Sequence, residues 1–326
     1  TKTCCSGLDI SDARKVAKKF GFKHFVIDYK DEFKKFVIDD FVESYQRGET
    51  PIPCIKCNQS VKFTDLINFT KSAGCKVLAT GHYVRRVYDG KKSSIYQATD
   101  NSKDQSYFLF ATTKSQLEFL RFPLGEYKKD KVREFAKEFG LVNANKPDSQ
   151  DICFIPDGDY RKFIKKDQKD KASKGVIENT KGEILGNHNG IIDYTIGQRK
   201  RIGIGGLKGN KNHKPYYVIK IDSINNKIIV GSKEELNQYK IYLKDINLLN
   251  GVRKRFKAKI KIRSGEKKIN ALVKILNDNK NAIVELPNPE TGIAPGQACV
   301  FYSKSKKLIG GGWITAGEII LNDSKI

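Results

Sequence analysis

Two cysteine-bearing segments, about a hundred residues apart, carry the strongest chemical signal in this sequence. Cys54 and Cys57 form a C-x-x-C pair, and Cys153 follows the polar run of residues 147–151. A thiolate can attack carbon, carry sulfane sulfur as a persulfide or pair with a second thiol, and few other side chains do any of these. A lone cysteine is more often a core residue, but the polar run before Cys153 indicates an exposed loop. The pattern predicts sulfur chemistry on a polyanionic substrate.

The sequence around Cys57 favours a thiolate. A predicted helix follows it, and Lys56 and Lys62 are close in sequence. Helix N-termini and neighbouring cations both lower the pKa of a thiol. A C-x-x-C pair also occurs in redox proteins and zinc sites, and Cys4 and Cys5 could supply two further ligands. Adjacent cysteines chelate less well than spaced ones, so structural zinc is the weaker interpretation.

Polar residues between the cysteine segments could face a ligand. His82 follows Gly81 at the end of a predicted strand. An isolated histidine is more often structural, but a glycine here would let a ligand approach the backbone closely. Lys103, Asp104 and Gln105 combine a phosphate-pairing cation with two groups that could read base edges, although such a triplet is otherwise an ordinary polar loop.

The charge balance points to a polyanionic partner. Lys and Arg number 61 against 37 Asp and Glu, which gives a formal charge of +24. Such an excess is typical of nucleic-acid binding, although a lysine-rich composition can also load every solvated surface. No apolar run approaches the length of a membrane span, and there is no secretory leader. Seven unevenly spaced cysteines fit a reducing cytoplasm better than a disulfide framework.

The first part of the chain alternates between helical and strand-like patterns. Strands separated by helices imply an α/β unit with a parallel sheet, whose ligands bind at the carboxyl ends of the strands. Gly81 and His82 would lie at such an end. The predicted helices cover residues 13–20, 33–48, 63–73 and 130–139, and the predicted strands cover 24–29 and 76–80.

The pattern changes after residue 156. A short helix over 160–165 leads into a stretch rich in Gly, Asn and Lys, and from residue 216 the chain has the pattern of strands. Their regular spacing predicts a small antiparallel barrel or sandwich. Cys75 and Cys299 are expected to be buried packing residues. The predicted strands cover 217–221 and 227–230, which form a hairpin, then 257–263, 269–276, 282–286 and 298–302.

Seven sequence blocks occur in the order found in the tRNA-specific 2-thiouridylases, and the chain resembles this family from about residue 3 to residue 315. One block would be weak evidence, but seven in register are very specific. The blocks are PIPCIKCNQSVKF, ATGHYVRR, KDQSYFLF, KPDSQDICFIP, YTIGQRKRIGIGG, APGQACVFY and LIGGG. The resemblance implies three domains: a PP-loop-type nucleotide-binding α/β domain over 1–150, a small central tRNA-binding domain over 151–212 and an antiparallel β-barrel over 213–326.

The resemblance also implies roles for individual residues. Cys57 matches the family's nucleophile, Cys153 the cysteine that receives the persulfide, and Gly81 an ATP-contacting glycine. No metal ligand is implied. The positions that match tRNA contacts are Ile52, Pro53 and Cys54 at the target base, then His82, Lys103, Asp104, Gln105, Arg263, Ser264 and Gln297.

The implied reaction takes place on the wobble uridine of tRNA in the cytoplasm, without a membrane partner. ATP, with Mg²⁺, adenylates a carbonyl oxygen of uracil, which is otherwise a poor leaving group. A persulfide on Cys153, loaded by a sulfur relay or a cysteine desulfurase, then supplies sulfur. Cys57 attacks that persulfide to release sulfide, or attacks its outer sulfur, and closes a disulfide with Cys153, and the sequence leaves open which sulfur is attacked.

The chain differs from the family's pattern at several positions. The Ser-Gly-Gly-x-Asp-Ser loop that cradles pyrophosphate would lie upstream of Thr1, so we expect the sequence to be truncated and to lack it. Many members have Asp in place of Cys54, and Arg201 stands where Gly is usual. Two alternatives remain: a tRNA-binding protein without catalysis, if Thr1 is the true start, and a redox or metal-thiolate protein that uses Cys4, Cys5, Cys54 and Cys57.

Overall fold

The computed structural model contains three consecutive units, each built around its own sheet or sheets. It describes residues 7–147, 151–155, 157–167, 173–204, 215–249, 251, 253–265 and 267–317. None of the helices in this described part of the chain combines the length and the apolarity that a transmembrane span needs.

The first unit contains the predicted helices. The first and third of them begin well before their predicted first residues, and the second and third each have a π-helical middle, Lys34–Ile38 and Asn58–Asp65. The helices are α1 (Gly7–Phe20), α2 (30–46), α3 (53–72), α4 (Lys114–Phe119) and α5 (Lys129–Glu138). The short strands are β1 (Leu78–Ala79), β2 (Val84–Tyr88), β3 (Ser93–Gln97) and β4 (Leu120–Arg121).

The sheet of the first unit is small but has the predicted direction. β1 pairs with β4 in parallel, which confirms the α/β class, and β2 pairs with β3 as an antiparallel hairpin that the sequence analysis missed. The prediction of a strand over residues 24–29 is wrong. That segment has no regular secondary structure, no described strand pairs with it, and Phe25 and Val26 are mostly exposed. An apolar run forms a strand only where a neighbour supplies the ladder of backbone hydrogen bonds.

The second unit is a four-stranded sheet preceded by α6 (Tyr160–Asp167). Its order is β6-β5-β8-β7, and the predicted hairpin is formed by β7 and β8. The predicted domain boundary at residue 213 would assign that hairpin to the barrel. In the structure, however, β8 pairs with β5 of the second unit. The sheets therefore separate after β8, between residues 231 and 238. The strands are β5 (Gly175–Asn179), β6 (Ile184–His188), β7 (Tyr217–Asp222) and β8 (Lys227–Gly231).

The third unit is a closed six-stranded barrel, which confirms the barrel rather than the sandwich. Its strands follow the order β10-β11-β12-β9-β14-β13, and β13 pairs with β10 to close the ring. Closure removes the sheet edges and buries an apolar interior. The strands are β9 (Gln238–Leu248), β10 (Arg255–Lys261), β11 (Ile269–Ile275), β12 (Ala282–Glu290), β13 (Ala298–Tyr302) and β14 (Leu308–Thr315).

The first unit and the barrel share one hydrophobic core. In β13, Cys299 and Phe301 belong to the barrel core, whereas Val300 and Tyr302 belong to a core shared with the first unit. Alternate side chains of a strand lie on opposite faces, so β13 is buried on both. The burial of Cys299 is confirmed, but the prediction for Cys75 is wrong because Cys75 is exposed.

Candidate active site

The C-x-x-C pair lies on the first turns of α3, not before the helix as predicted. The helix begins at Pro53, whose fixed φ and missing N–H suit the first helical position. Cys54 is therefore in the N-terminal turn and exposed, whereas Cys57 lies one turn later and is partly buried. The positive end of the helix dipole acts mainly on the first turn, so it favours a thiolate at Cys54 more than at Cys57.

Lys56 has partners other than the cysteines. Its Nζ lies 3.3 Å from a carboxylate oxygen of Asp40 on α2 and 5.2 Å from the ring centre of Trp313. Asp40 therefore offsets part of the positive charge that Lys56 was expected to provide beside Cys57. The contact also joins the first turn of α3 to α2.

The segment that carries Cys153 packs against α2, the helix that also carries Asp40. Cys153 is partly buried rather than in a fully exposed loop, and residues 148–150 of the preceding polar run lie outside the described residues. The ring of Phe154 packs edge-on against Phe41 of α2, with ring centres 5.3 Å apart. Phe41 follows Asp40, the partner of Lys56. The immediate neighbours of Cys57 and Cys153 thus contact consecutive residues of α2.

A cavity of about 450 Å³ opens between the first unit and the barrel. It brings together Ile52, Arg263, Ser264 and Gln297, four of the residues predicted to contact tRNA, from distant parts of the sequence. Sequence reasoning missed the other three lining residues, Gly265 and the aromatic pair Tyr107 and Phe108. The only signal was that this aromatic pair follows Lys103, Asp104 and Gln105 in the chain. The full lining is Ile52, Tyr107, Phe108, Arg263, Ser264, Gly265 and Gln297.

Hydrogen bonds across the seam between the first unit and the barrel fix the cavity wall. The Gln297 side chain donates to the carbonyl oxygen of Thr50 at 2.7 Å, and the Thr50 N–H donates to the carbonyl oxygen of Pro295 at 2.7 Å. Gly296 has φ +86°, and a Cβ there would lie 2.9 Å from the Thr50 nitrogen. Both the backbone conformation and the close approach require glycine. The segment before α3 and the loop before β13 therefore form one rigid seam.

Arg263 and Tyr107 are held by backbone carbonyl groups. The Arg263 guanidinium donates to the Gly292 carbonyl oxygen at 2.5 Å, and the Tyr107 hydroxyl donates to the Ala298 carbonyl oxygen at 3.0 Å. Both of these carbonyl groups belong to the barrel, although Tyr107 belongs to the first unit. A guanidinium carries five N–H donors in a planar fork, a geometry that suits a phosphate or a base edge.

Asn58 connects the helix of Cys57 to this cavity. Its side chain is buried and donates to the carbonyl oxygen of Phe108 at 3.2 Å. Asn58 follows Cys57 directly, so this bond places the first turns of α3 beside the cavity wall. The sequence contained no signal for this contact.

His82 is a neutral imidazole at physiological pH. It lies between the rings of Phe63 and Phe122, with ring centres 5.8 and 6.2 Å away, and its Nδ1 is 2.8 Å from the hydroxyl of Thr80. Burial, and then the charge of Lys62, lowers the pKa of His82 from 6.5 to about 4. A neutral imidazole can exchange hydrogen bonds with a base or ribose, but it brings no charge to a phosphate.

The low pKa of His82 predicts an acid-side loss of stability. The contribution of neutral His82 to the free energy of unfolding is complete above pH 6.5, where His82 is also neutral in the unfolded chain. This contribution is lost as the pH falls toward 4. The free energy of unfolding in urea should decrease over this range by at most about 3 kcal/mol from this group. His82→Gln, which does not titrate, should show a smaller decrease. An NMR titration midpoint near 6.5 for His82 would contradict the explanation.

Two residues of the predicted tRNA-contacting triplet form hydrogen bonds within the protein. The Asp104 carboxylate accepts hydrogen bonds from the Gln97 side chain at 2.6 Å and the Ser106 hydroxyl at 2.9 Å. The Gln105 side-chain oxygen accepts from the Tyr83 N–H at 2.8 Å. These groups hold the loop against β3 and the turn after Gly81, and Lys103 in the same loop is partly buried. Two polar groups that were expected to read bases thus have structural partners.

Comparison with known proteins agrees with this architecture. Residues 1–157 match the family model of the tRNA methyl transferase HUP domain, and residues 161–232 match that of the tRNA methyl transferase PRC-barrel domain. Residues 238–314 match the aminomethyltransferase β-barrel domain. The second and third ranges separate at the same place as the sheets, between β8 and β9.

Relatives that match nearly the whole chain identify the family more specifically than the domain models do. The tRNA-specific 2-thiouridylase MnmA of Roseobacter denitrificans is 47% identical over 320 residues, which cover 96% of this chain and 83% of the relative. The enzyme of the same name from Rickettsia canadensis is 48% identical over 97% of this chain and 85% of its own length. The one from Zymomonas mobilis is 47% identical over 96% and 81%.

This chain belongs to the tRNA-specific 2-thiouridylase family. Membership gives the cavity and the two cysteine segments a common context. In this family member, no three His, Cys, Asp or Glu side chains among the described residues are grouped to hold a metal ion. Cys4 and Cys5, which the metal-thiolate alternative requires, lie outside the described residues.

Proposed function

We propose that this chain is a tRNA-uridine 2-sulfurtransferase that adenylates the wobble uridine of a tRNA with ATP and then replaces the carbonyl oxygen with sulfur. The observation that carries this proposal is the cavity in which Ile52, Arg263 and Gln297 meet beside the helix of Cys57. A base that leaves the anticodon stack needs such a recess, with a cation and an amide at its rim.

The chemistry favours sulfur transfer over methyl transfer, which the descriptions of two family models name. Methyl transfer needs no thiol, whereas here the residues beside two partly buried cysteines contact neighbouring residues of α2. Both are thiols in this structure. In the proposed reaction the outer sulfur of a Cys153 persulfide bonds to the activated uracil carbon, and AMP leaves with the former carbonyl oxygen. The Cys57 thiolate then attacks Cys153 Sγ, which breaks the persulfide bond and leaves the outer sulfur on uridine.

That sequence of bonds ends in a Cys57–Cys153 disulfide, so a dithiol reductant must restore the thiols before the next turnover. In the other route, Cys57 attacks Cys153 Sγ first, which forms the same disulfide and releases sulfide, and the sulfide then attacks the activated carbon. Both routes need Cys153 to be loaded with sulfur. We assign this step to a cysteine desulfurase or a sulfur relay, which fits a cytoplasmic enzyme.

Gly81 fits a place beside ATP. It is exposed and follows β1, at the carboxyl end of a parallel strand, where α/β sheets bind ligands. A Cβ on Gly81 would meet only Leu124, at 3.7 Å. The fold itself therefore tolerates a side chain here, and a nucleotide close to the backbone would not. ATP would bring Mg²⁺, while the central unit and the barrel bind the tRNA.

The direct test is thiolation by the full-length protein. Purified protein, unmodified tRNA, Mg·ATP and a persulfide donor should give thiouridine, detected by retarded migration in a mercury-containing gel. AMP release should require tRNA and should match the thiouridine formed. Tight tRNA binding without AMP or thiouridine would favour the non-catalytic alternative.

Cys54 should be dispensable for the chemistry. It is exposed in the first turn of α3, where many family members have Asp, and no bond-making step above uses it. We expect Cys54→Ala to keep thiolation within about tenfold of wild type, far above Cys57→Ser. Equal loss in the two variants would make Cys54 a working thiol. Metal analysis of both proteins would then separate a resolving thiol from a metal ligand.

A further inference from the structure

One outward face of the barrel carries a row of lysines that leads to the cavity. Exposed and buried residues alternate along β10, and Lys257, Lys259 and Lys261 share the outward face. Their spacing is about 6.7 Å, twice the rise per residue of a strand, and is close to that of successive phosphates on one RNA strand. Arg263, on the cavity wall, lies two residues further along the chain.

Acidic side chains do not neutralise this row. The cross-strand neighbours of Lys257 and Lys259 on β11 are Leu272 and Asn270, which are uncharged. Within the part of the chain that the structure describes, no ion pair joins Lys257, Lys259 or Lys261 to a carboxylate. A lysine-rich composition alone would not explain why the acids are placed elsewhere.

The adjacent face of the same barrel is different. There Lys274 forms an ion pair with Glu285, and Lys240 lies directly opposite Glu285 in the β9–β12 register. The hydrogen bond from Lys274, and then the charges of Lys274, Lys240 and Arg255, lower the pKa of the Glu285 carboxyl, so Arg255 at the start of β10 also acts on this acid. Lysines on this face therefore lie beside an acid, whereas Lys257, Lys259 and Lys261 form no ion pair among the described residues.

Two further lysines extend the row toward the first unit. The Lys268 ammonium contacts the Gln97 side chain and lies 5.4 Å from the ring centre of Tyr302. The Lys306 ammonium lies 3.3 Å from the side-chain oxygen of Asn101. Both therefore lie at the seam between the barrel and the loop that carries Lys103.

These cations repel one another. Burial, and then the charges of Lys261, Lys259 and Lys306, lower the pKa of Lys268, against one raising contribution from Asp104. The Asp104 carboxylate already accepts hydrogen bonds within its own loop. A bound polyanion would relieve this repulsion.

We propose that Lys257, Lys259, Lys261, Lys268 and Lys306 form a phosphate-binding ridge for a base-paired stem of the tRNA whose uridine enters the cavity. The ridge rests on the proposed function and adds a surface and a part of the substrate to it. A straight row of evenly spaced cations suits the regular backbone of an A-form stem, which proteins recognise by shape and phosphate contacts. An irregular loop would not present phosphates at such a constant spacing.

The test compares two double variants of the full-length protein that remove the same charge from one barrel. Lys257→Gln/Lys259→Gln removes ridge lysines, and Lys240→Gln/Lys274→Gln removes the lysines beside Glu285. In tRNA binding measured against salt, the ridge variant should lower the slope of log affinity on log salt by about 1.5, since each phosphate contact contributes about 0.7–0.9. The control pair should leave the slope unchanged.

Ethylation interference then locates the contacts. Phosphates whose ethylation blocks binding to wild type, but no longer affects the ridge variant, should lie in a base-paired stem. Thiolation at saturating tRNA should be unchanged in this variant, while the KM for tRNA rises about tenfold.

The outcomes separate the ridge from the function. Equal slope changes in the two double variants would overturn the ridge and leave the sulfurtransferase proposal standing. Lost interference confined to the anticodon loop would overturn the assignment to a stem. Failure of the wild-type protein to bind tRNA at all would overturn both.

Discussion

Cys57→Ser and Cys153→Ser should each abolish thiouridine formation, with a loss on the order of a thousandfold or more. A hydroxyl cannot carry sulfane sulfur or close a disulfide, so no route through either position survives. Both cysteines are partly buried, and serine nearly preserves their volume. The affinity for tRNA should therefore change by less than about threefold, which binding measurements at fixed salt would check.

The two variants should fail at different steps. With a ³⁵S-labelled persulfide donor, Cys57→Ser should give tRNA that carries no label resistant to reductant. The variant protein should still carry label on Cys153 that a reductant removes. Cys153→Ser should retain neither. Cys75→Ser is the matched control because Cys75 is exposed and belongs to neither segment. Substantial thiolation by either active-site variant, or loss in the control, would refute the assignment of two working cysteines.

Arg263→Ala should lower kcat/KM for tRNA by about a hundredfold, mostly through KM. Arg263 supplies a charged N–H donor to the cavity and, by donating to the Gly292 carbonyl, also holds the loop that leads to Gln297. Arg263→Lys keeps the charge but loses the planar fork, so it should fall between wild type and alanine. Steady-state thiolation over a range of tRNA concentrations measures both variants.

Arg14→Ala is the control for charge alone. Arg14 is an exposed arginine on α1 and does not line the cavity. Its replacement should leave kcat/KM within about twofold of wild type. Equal effects of Arg14→Ala and Arg263→Ala would mean that net charge, rather than the cavity, controls tRNA recognition.

The sequence predicted the elements whose patterns are local. The apolar spacing in α2 and α5, and the alternation in β10 and β11, are properties of short windows, and these elements are where they were expected. The segment 24–29 has an equally good strand pattern but no described partner strand. β2 and β3 were missed because their residues, VRRVY and SSIYQ, include polar side chains that are buried only by tertiary contacts.

The candidate site was predicted as a set of residues rather than as an arrangement. The family resemblance pointed to Ile52, Arg263 and Gln297, but only the fold shows that they line one cavity. The role of α2 in holding both cysteine segments had no signal, because Asp40 and Phe41 read as ordinary residues of an amphipathic helix. The true start of α3 could have been found, since Pro53 is a typical first residue of a helix.

The shared core on β13 has a consequence for biosynthesis. Ile55 and Phe63 near the beginning of the chain are covered by Tyr302 and Trp313 near its other end. During translation the first unit therefore emerges long before the strands that shield its apolar surface. We expect nascent chains that end before β13 to depend on chaperones and to be readily degraded. Because the first unit completes its core only with these last strands, we expect substrate recognition and catalysis to become available to the cell together.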